Sequence, residues 1–180
     1  MPLEELLNFI VVNGRQWVTD QRNLLRPSAQ PISAEDRAQL QHYFTPDILE
    51  RAQCTWVDEI PHPAFYAALQ TSGLSMPLDF RQMTGITFLD TIVMARSRVM
   101  DRTHWLSLLF HELVHVVQYH ILGCDAFLTQ YVYGWASNAF HYFTIPLEAM
   151  AYDLQRRFDG AGVPFSVERE IAHRLSTAAG

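Results

Sequence analysis

His111-Glu112-Leu113-Val114-His115 is an H-E-x-x-H pentapeptide set inside a segment with helical hydrophobic spacing. Two imidazoles four residues apart stand one helical turn from each other, close enough to grip one metal ion. The glutamate beside the first can take the proton of a water that the metal activates. With the His and Glu content of this chain, three such fixed residues coincide by chance in roughly one or two chains of its size per hundred. The neighbourhood therefore carries part of the reading. From Asp101 or Thr103 as a cap to about residue 121, Leu106, Leu109, Phe110, Leu113 and Val117 recur at helical spacing and define a core-facing stripe. His111 and His115 share a different stripe with Leu108 and Gln118. The helix is thus expected to bury one side and offer both imidazoles to a cleft on the other, with Gly123 closing it.

Upstream, Gly85 to Met94 is the most β-prone segment of the chain, one strand or a tight hairpin about Leu89-Asp90. Downstream, a helix is expected from about Asp125 to Ser137, with Phe127, Leu128, Tyr131 and Trp135 as its apolar side. Asn138 to Thr144 reads as a loop. Pro146 opens a helix from Leu147 to Phe158, and Ser166 caps a last one to about Ser176. Before the motif, residues 3 to about 24 form a long amphipathic helix, and Arg26 to Pro31 is the best linker candidate. Ser33 and Thr45 begin two further helices, residues 54 to 60 read as a short strand, and Pro63 to Leu69 as a short helix stopped near Gly73. The expected class is α+β, predominantly helical, with two or three short strands.

The chain has 180 residues, 49% of them hydrophobic, enough for one well-filled core and short for two. A single domain over 1–180 is expected, with a mostly helical region at 1–84 and the metal-binding region at 85–180. A formal charge of -6, with 13 Lys+Arg against 19 Asp+Glu and no basic run, argues against nucleic acid or an anionic membrane as partner. The N-terminus lacks the pattern of a secretory signal, no segment approaches a membrane span, and Cys54 and Cys124 read as free thiols. A cytoplasmic location is the default expectation.

A catalytic zinc takes three protein ligands and keeps one position open. His111 and His115 supply two. His120 lies about 140° around the helix from His115 and cannot share the ion. The extended metzincin pattern fails at Gln118 and Ile121, and Asp125 reads more simply as the cap of the next helix. Glu148, in the first turn of Ile145-Pro146-Leu147-Glu148-Ala149, is the better candidate, with small Ala149 and Ala151 allowing its helix to pack closely. The alternative for Glu148 is a first-turn carboxylate that only complements the helix dipole.

The segment Leu108 to Tyr119, followed by Ile145 to Ala149, resembles the short bacterial zincin-like proteins grouped under the DUF4157 heading, which are metallopeptidases of the glutamate-zincin type by their motifs. The resemblance covers roughly residues 85 to 158 and leaves 1–84 uncovered. It implies a zincin-like core with an N-terminal helical extension, one zinc per chain on His111, His115 and Glu148, and Glu112 as base. It also implies that the strand from Ile86 to Met94, with Ile92, Val93 and Met94, rims a cleft where an extended peptide or protein substrate pairs. The sequence departs from thermolysin-like enzymes in its longer gap to Glu148, and in Tyr152 where they carry an acid; Asp153 is one position late for orienting a ligand His.

Hydrolysis of a peptide bond by a metal-activated water further needs a donor to the oxyanion. Tyr142 is the candidate, with His141, Tyr131 and Tyr133 as alternatives. His104 lies roughly 10 Å along the axis from His111, too far to ligate the same ion. His42, His62 and His173 are isolated, and Trp17, Trp56, Trp105 and Trp135 read as core or core edge. Two other functions compete with the peptidase: a catalytically inactive scaffold or binding protein with a structural or vestigial zinc, and a helical interaction domain binding through Ile10, Val11 and Trp17.

Overall fold

Helix α5 (Arg102–Ser137) organises the chain, and its start is set by Asp101, whose carboxylate accepts the His104 amide at 2.8 Å. This computed structural model describes residues 2–71, 79–99, 101–160 and 162–178. Helical φ/ψ fail once inside α5, at Gly123 with φ 74 and ψ 167, a conformation closed to residues bearing a Cβ. The break folds the second half of α5 back beside the first. Twelve residues of straight helix would separate His115 from Phe127 by about 18 Å, yet their rings lie 6.2 Å apart. Tyr119 and Phe127 stack across the bend at 3.7 Å.

Helices α1 (Leu3–Leu25), α2 (Ala34–Leu40), α3 (Pro46–Arg51) and α4 (Phe65–Thr71) precede α5, and α6 (Pro146–Asp159) and α7 (Val167–Ala178) follow it. Four short strands, β1 (Gln30–Pro31), β2 (Gln53–Val57), β3 (Gly85–Phe88) and β4 (Thr91–Ala95), form one sheet in the order β1-β2-β4-β3. β4 runs parallel to β2 and antiparallel to β3, with Ile92 opposite Cys54 on one side and Thr87 on the other. Its side chains alternate: Ile92 and Met94 enter the main core with Leu109, Phe110 and Leu113 of α5, while Val93, with Phe88 of β3, joins the cluster that holds Val18 of α1. The class is α+β, dominated by helix.

Several expectations are revised. The Arg26 to Pro31 segment is no linker: Arg26–Ser28 is a 3₁₀ turn, and Gln30–Pro31 pairs with Gln53 and Cys54. Pro31 is tolerated because β1 is an edge strand. The β-prone segment resolves into a hairpin whose turn holds Leu89 at φ 61. The strand expected at 54 to 60 spans Gln53–Val57, and the short helix after it runs Phe65–Thr71, with Gly73 outside the described residues. Thr45 occupies the N-cap of α3, but its side chain makes no capping hydrogen bond. Trp56 is not a core residue; it is 37% exposed and stacks on Trp105 at 5.0 Å. Most consequential, every residue of α5 from Leu109 to Tyr119 is buried, so the face that carries His111 and His115 is enclosed and opens only onto cavities. No helix among the described residues is long and apolar enough to cross a membrane.

Region 1–84 and the region after it share this sheet and several ion pairs, Arg102 with Asp36 and Glu35 among them. Arg22 of α1 and Arg26 hold Asp90 of the β3–β4 turn, at 2.9 and 3.2 Å. Arg15 reaches Asp125, at 3.2 Å, which therefore serves as a partner of α1.

Candidate metal centre

Buried α5 and α6 lie side by side, and at their contact His111, His115 and Glu148 converge, only 5%, 6% and 3% exposed. The His111 and His115 Nε2 atoms are 3.1 Å apart, and Glu148 reaches them with Oε2 at 3.4 Å and Oε1 at 3.5 Å. A tetrahedral ion with bonds of about 2.0–2.1 Å separates its ligand atoms by about 3.3–3.4 Å. The three residues thus present ligand atoms at the spacing one ion requires, and they form the group among the described residues able to hold a metal. A second observation supports the fit: Glu148 Oε2 is buried without a hydrogen-bond partner, a costly arrangement for a carboxylate oxygen unless something charged meets it.

Both imidazoles are turned by amides. His111 Nδ1 lies 3.0 Å from Gln155 Oε1, and His115 Nδ1 2.8 Å from Gln118 Oε1. The amide orientations follow from their other bonds: Gln118 Nε2 donates to Leu147 O at 3.0 Å, and Gln155 Nε2 to Ser107 Oγ at 2.8 Å. Ser107 in turn donates to Asp159 at 2.9 Å. Each Nδ1 must then carry a proton, so the neutral form of each ring has Nε2 as its free ligand atom on the side of Glu148. Tyr131 Oη donates to Glu148 Oε1 at 2.7 Å, fixing the third member. The Gly123 bend is what brings Tyr131 there. Ala151 is buried where α6 packs on the core, whereas Ala149 faces outward.

Glu112 sits beside this group, 4% exposed, with its Oε2 accepting the Thr87 hydroxyl at 2.7 Å. β3 comes so close that a Cβ on Gly85 would lie 2.7 Å from Glu112 Oε1. Burial pushes the Glu112 carboxyl above its ordinary range, against the pull of His111 and His115. For Glu148 burial acts in the same direction, but the two imidazoles win and hold it well below that range. Burial alone would lower His115, yet the Glu148 charge raises it to about 9.

Among the sequence-derived candidates, His111, His115, Glu148 and Glu112 come together, and Tyr142 joins them. Tyr142 lines both cavities that meet at Glu112: an apolar one of about 110 Å³ and a polar cleft of about 510 Å³. Burial pushes its phenol far above the usual range, helped by the Glu148 charge, so it remains a donor. His141 is exposed and lines neither cavity, and Tyr133 donates to Asn8 instead. His120 and Asp125 are exposed and stand outside the group. Asp153 pairs with Arg174 and leaves the orienting role to Gln155.

Ile92, Val93 and Met94 are misplaced as substrate contacts. All three are fully buried in β4, which is hydrogen bonded on both sides, so no peptide can pair with it. β3 is the edge strand on this side of the sheet. Thr87, Gly85 and Gln155 were not singled out from sequence, and Tyr152, noted there only as a departure from thermolysin-like enzymes, has its ring 4.5 Å from that of His111. Of these only Gln155 carried a signal, two helical turns after Glu148 and so on the same face of α6. Compared with known proteins, the chain matches no family model, no curated protein and no solved structure.

Proposed function

We propose that this chain is a zinc-dependent metallopeptidase built on a zincin-like core, its cleft completed by the N-terminal helical region. One observation carries the reading: two imidazole Nε2 atoms and a carboxylate, buried and 3.1 to 3.5 Å apart, with a second glutamate beside them. The donor set of two His and one Glu is that of catalytic zinc sites rather than of closed structural ones. The likeness of Leu108 to Tyr119 and Ile145 to Ala149 to DUF4157 proteins belongs to this proposal.

His111, His115 and Glu148 would hold the zinc, which would supply Lewis acidity toward a water and a peptide carbonyl. The residues of the chain do the rest. Thr87 engages Glu112 Oε2, so Oε1 is the oxygen that accepts the water proton as the new C–O bond forms. The same oxygen returns that proton to the amine as the C–N bond breaks. Burial raises the Glu112 carboxyl above its ordinary range, the direction that favours its returning the proton. Tyr142, kept protonated by burial, donates to the carbonyl oxygen that gains charge. Gln155 and Gln118 keep both imidazoles in the tautomer that leaves Nε2 bare.

The decisive experiment is Glu112→Gln. It retains one zinc per chain and loses hydrolysis of a peptide library; full activity in that variant removes Glu112 as the base. A second reading, a zinc-holding scaffold without turnover, draws on the same burial, since every member of the group is at most 6% exposed. Intact zinc with no cleavage in the wild type, together with a large loss of melting temperature in His111→Ala, would select it.

A further inference from the structure

The metal centre is reached from two sides, and the polar cleft uses only one of them. On the other, the apolar cavity of about 110 Å³ begins at Glu112, His115 and Glu148 and ends against α1. Gly14, Trp17 and Val18 of α1 form its far wall, with Phe80 and Phe127 at its sides. None of this outer wall is needed to hold a metal.

We propose that this cavity is a specificity pocket that takes one aromatic or branched aliphatic side chain of the substrate, and that α1 sets its size. The word substrate rests on the metallopeptidase reading; the binding of a small apolar group does not. Three observations carry the inference. The volume suits a single ring: a dry apolar cavity of about 150 Å³ binds benzene, and this one is slightly smaller. Glycine in the middle of a 23-residue helix is unfavourable, yet at Gly14 the missing side chain leaves room, the nearest atom to a Cβ there being Leu128 Cδ2 at 4.0 Å. Finally, the mouth of the cavity shares Glu112, Tyr142, Gly85 and Met83 with the polar cleft of about 510 Å³. A side chain seated in the first leaves its own main chain at the metal centre, and the cleft receives the rest of the peptide.

The test uses the full chain, metal-free and zinc-loaded, with bromobenzene as probe. Trp17 and Trp135 line the cavity, whereas Trp56 and Trp105 stack on each other elsewhere. Bromobenzene should quench fluorescence saturably in the metal-free protein and raise its melting temperature, 1-bromonaphthalene should do neither, and Trp17→Phe should reduce the quenching. Gly14→Leu should abolish it at unchanged zinc stoichiometry. Should Gly14→Leu fail to fold, Gly14→Ala should fold and weaken the quenching by a smaller step. Absence of saturable quenching, or quenching unaltered by either Gly14 variant, overturns the pocket. In the zinc-loaded protein, peptides differing only at the residue flanking the scissile bond should favour Phe or Leu over Ala by roughly 100-fold in kcat/KM, and Gly14→Leu should erase that preference. Equal rates for Phe and Ala overturn the specificity role, whereas saturable quenching without cleavage of any peptide supports the pocket and overturns the metallopeptidase reading instead.

Discussion

Gly85→Ala probes the placement of Glu112 without touching a metal ligand. The added Cβ would lie 2.7 Å from Glu112 Oε1 and 2.9 Å from Met94 Sδ. Ordinary contact needs about 0.5–0.8 Å more, and β3 cannot supply it freely because Gly85 is paired with Met94 of β4. The Glu112 carboxylate is the part that can swing, and swinging it stretches the 2.7 Å bond from Thr87. Losing a hydrogen bond to a carboxylate costs about 1.5–3 kcal/mol, and overpacking of this kind about 1–3 kcal/mol. The two overlap, because relief of one causes the other, so a total of about 2–4 kcal/mol is expected. At about 2–4 °C per kcal/mol for a chain of this size, the melting temperature should fall by about 5–15 °C. Misplacement of the base by less than 1 Å should lower kcat by about 100-fold, with zinc stoichiometry unchanged, since the atoms nearest the new methyl belong to Glu112 and Met94. Thr87→Val is the companion, removing the hydroxyl without overpacking and giving the smaller stability loss of the two. Calorimetry, metal analysis and a peptide cleavage assay read all three quantities. A Gly85→Ala protein that melts within 2 °C of wild type and turns over normally would refute the proximity of β3 to Glu112 on which the reasoning stands.

Glu148→Ala should lower zinc content from one per chain to near zero after dialysis, because two imidazoles alone hold the ion weakly; retention of zinc removes Glu148 as a ligand. In the metal-free protein His115 is raised to about 9, so its pairing with Glu148 contributes stability in full below the unfolded value near 6.5 and loses it as pH rises through 9. A melting temperature that rises over that window would contradict the pairing. Zinc binding near neutral pH must displace the His115 proton, which calorimetry in buffers of different ionisation enthalpy detects. Asp90 has the opposite sign: burial would raise it, but Arg22 and Arg26 hold it below its ordinary value. Its contribution is present above about pH 4 and lost as pH falls through the depressed value, and Asp90→Asn should cost about 1–3 kcal/mol at pH 7 and nothing at low pH.

The helices were legible because their signals are local. Asp101 before the His104 amide, Pro146 in the first turn of α6, Ser166 before α7 and the glycine at 123 act within a few residues of themselves, and each stands where local chemistry puts it. That His111, His115 and Glu148 come together was legible for the same reason: one turn of helix fixes His111 against His115, and the first turn of α6 was the best remaining source of a carboxylate. The parts that escaped depend on distant packing. Gln30–Pro31 is a strand only because Gln53 and Cys54 lie beside it. Which of the two strands in the hairpin would be central was decided by the parallel pairing of β4 with β2 across nearly forty residues of sequence, so Ile92, Val93 and Met94 became core. Thr87 meets Glu112 through the crossing of β3 over α5, for which the sequence carries no periodic signal.

Burial of α5 on every side raises the question of how a helix so enclosed tolerates two imidazoles and a glutamate, with another glutamate facing them. An isolated buried charge is expensive, so the group must approach neutrality as a unit. Without metal this is met by a charged His115 against an ionised Glu148, with Glu112 pushed toward its protonated form by burial. With a divalent cation, two ionised glutamates and two neutral imidazoles balance it. The same four side chains can satisfy both conditions by exchanging protons for the ion, and the glutamine clamps are compatible with both states, because each Nδ1 remains a donor. The Glu112 proton is therefore coupled to metal loading as well as to the step it is proposed to catalyse. In this arrangement the depth of the site is the physical reason the Glu112 carboxyl is raised above its ordinary range, as the base role proposed for it requires.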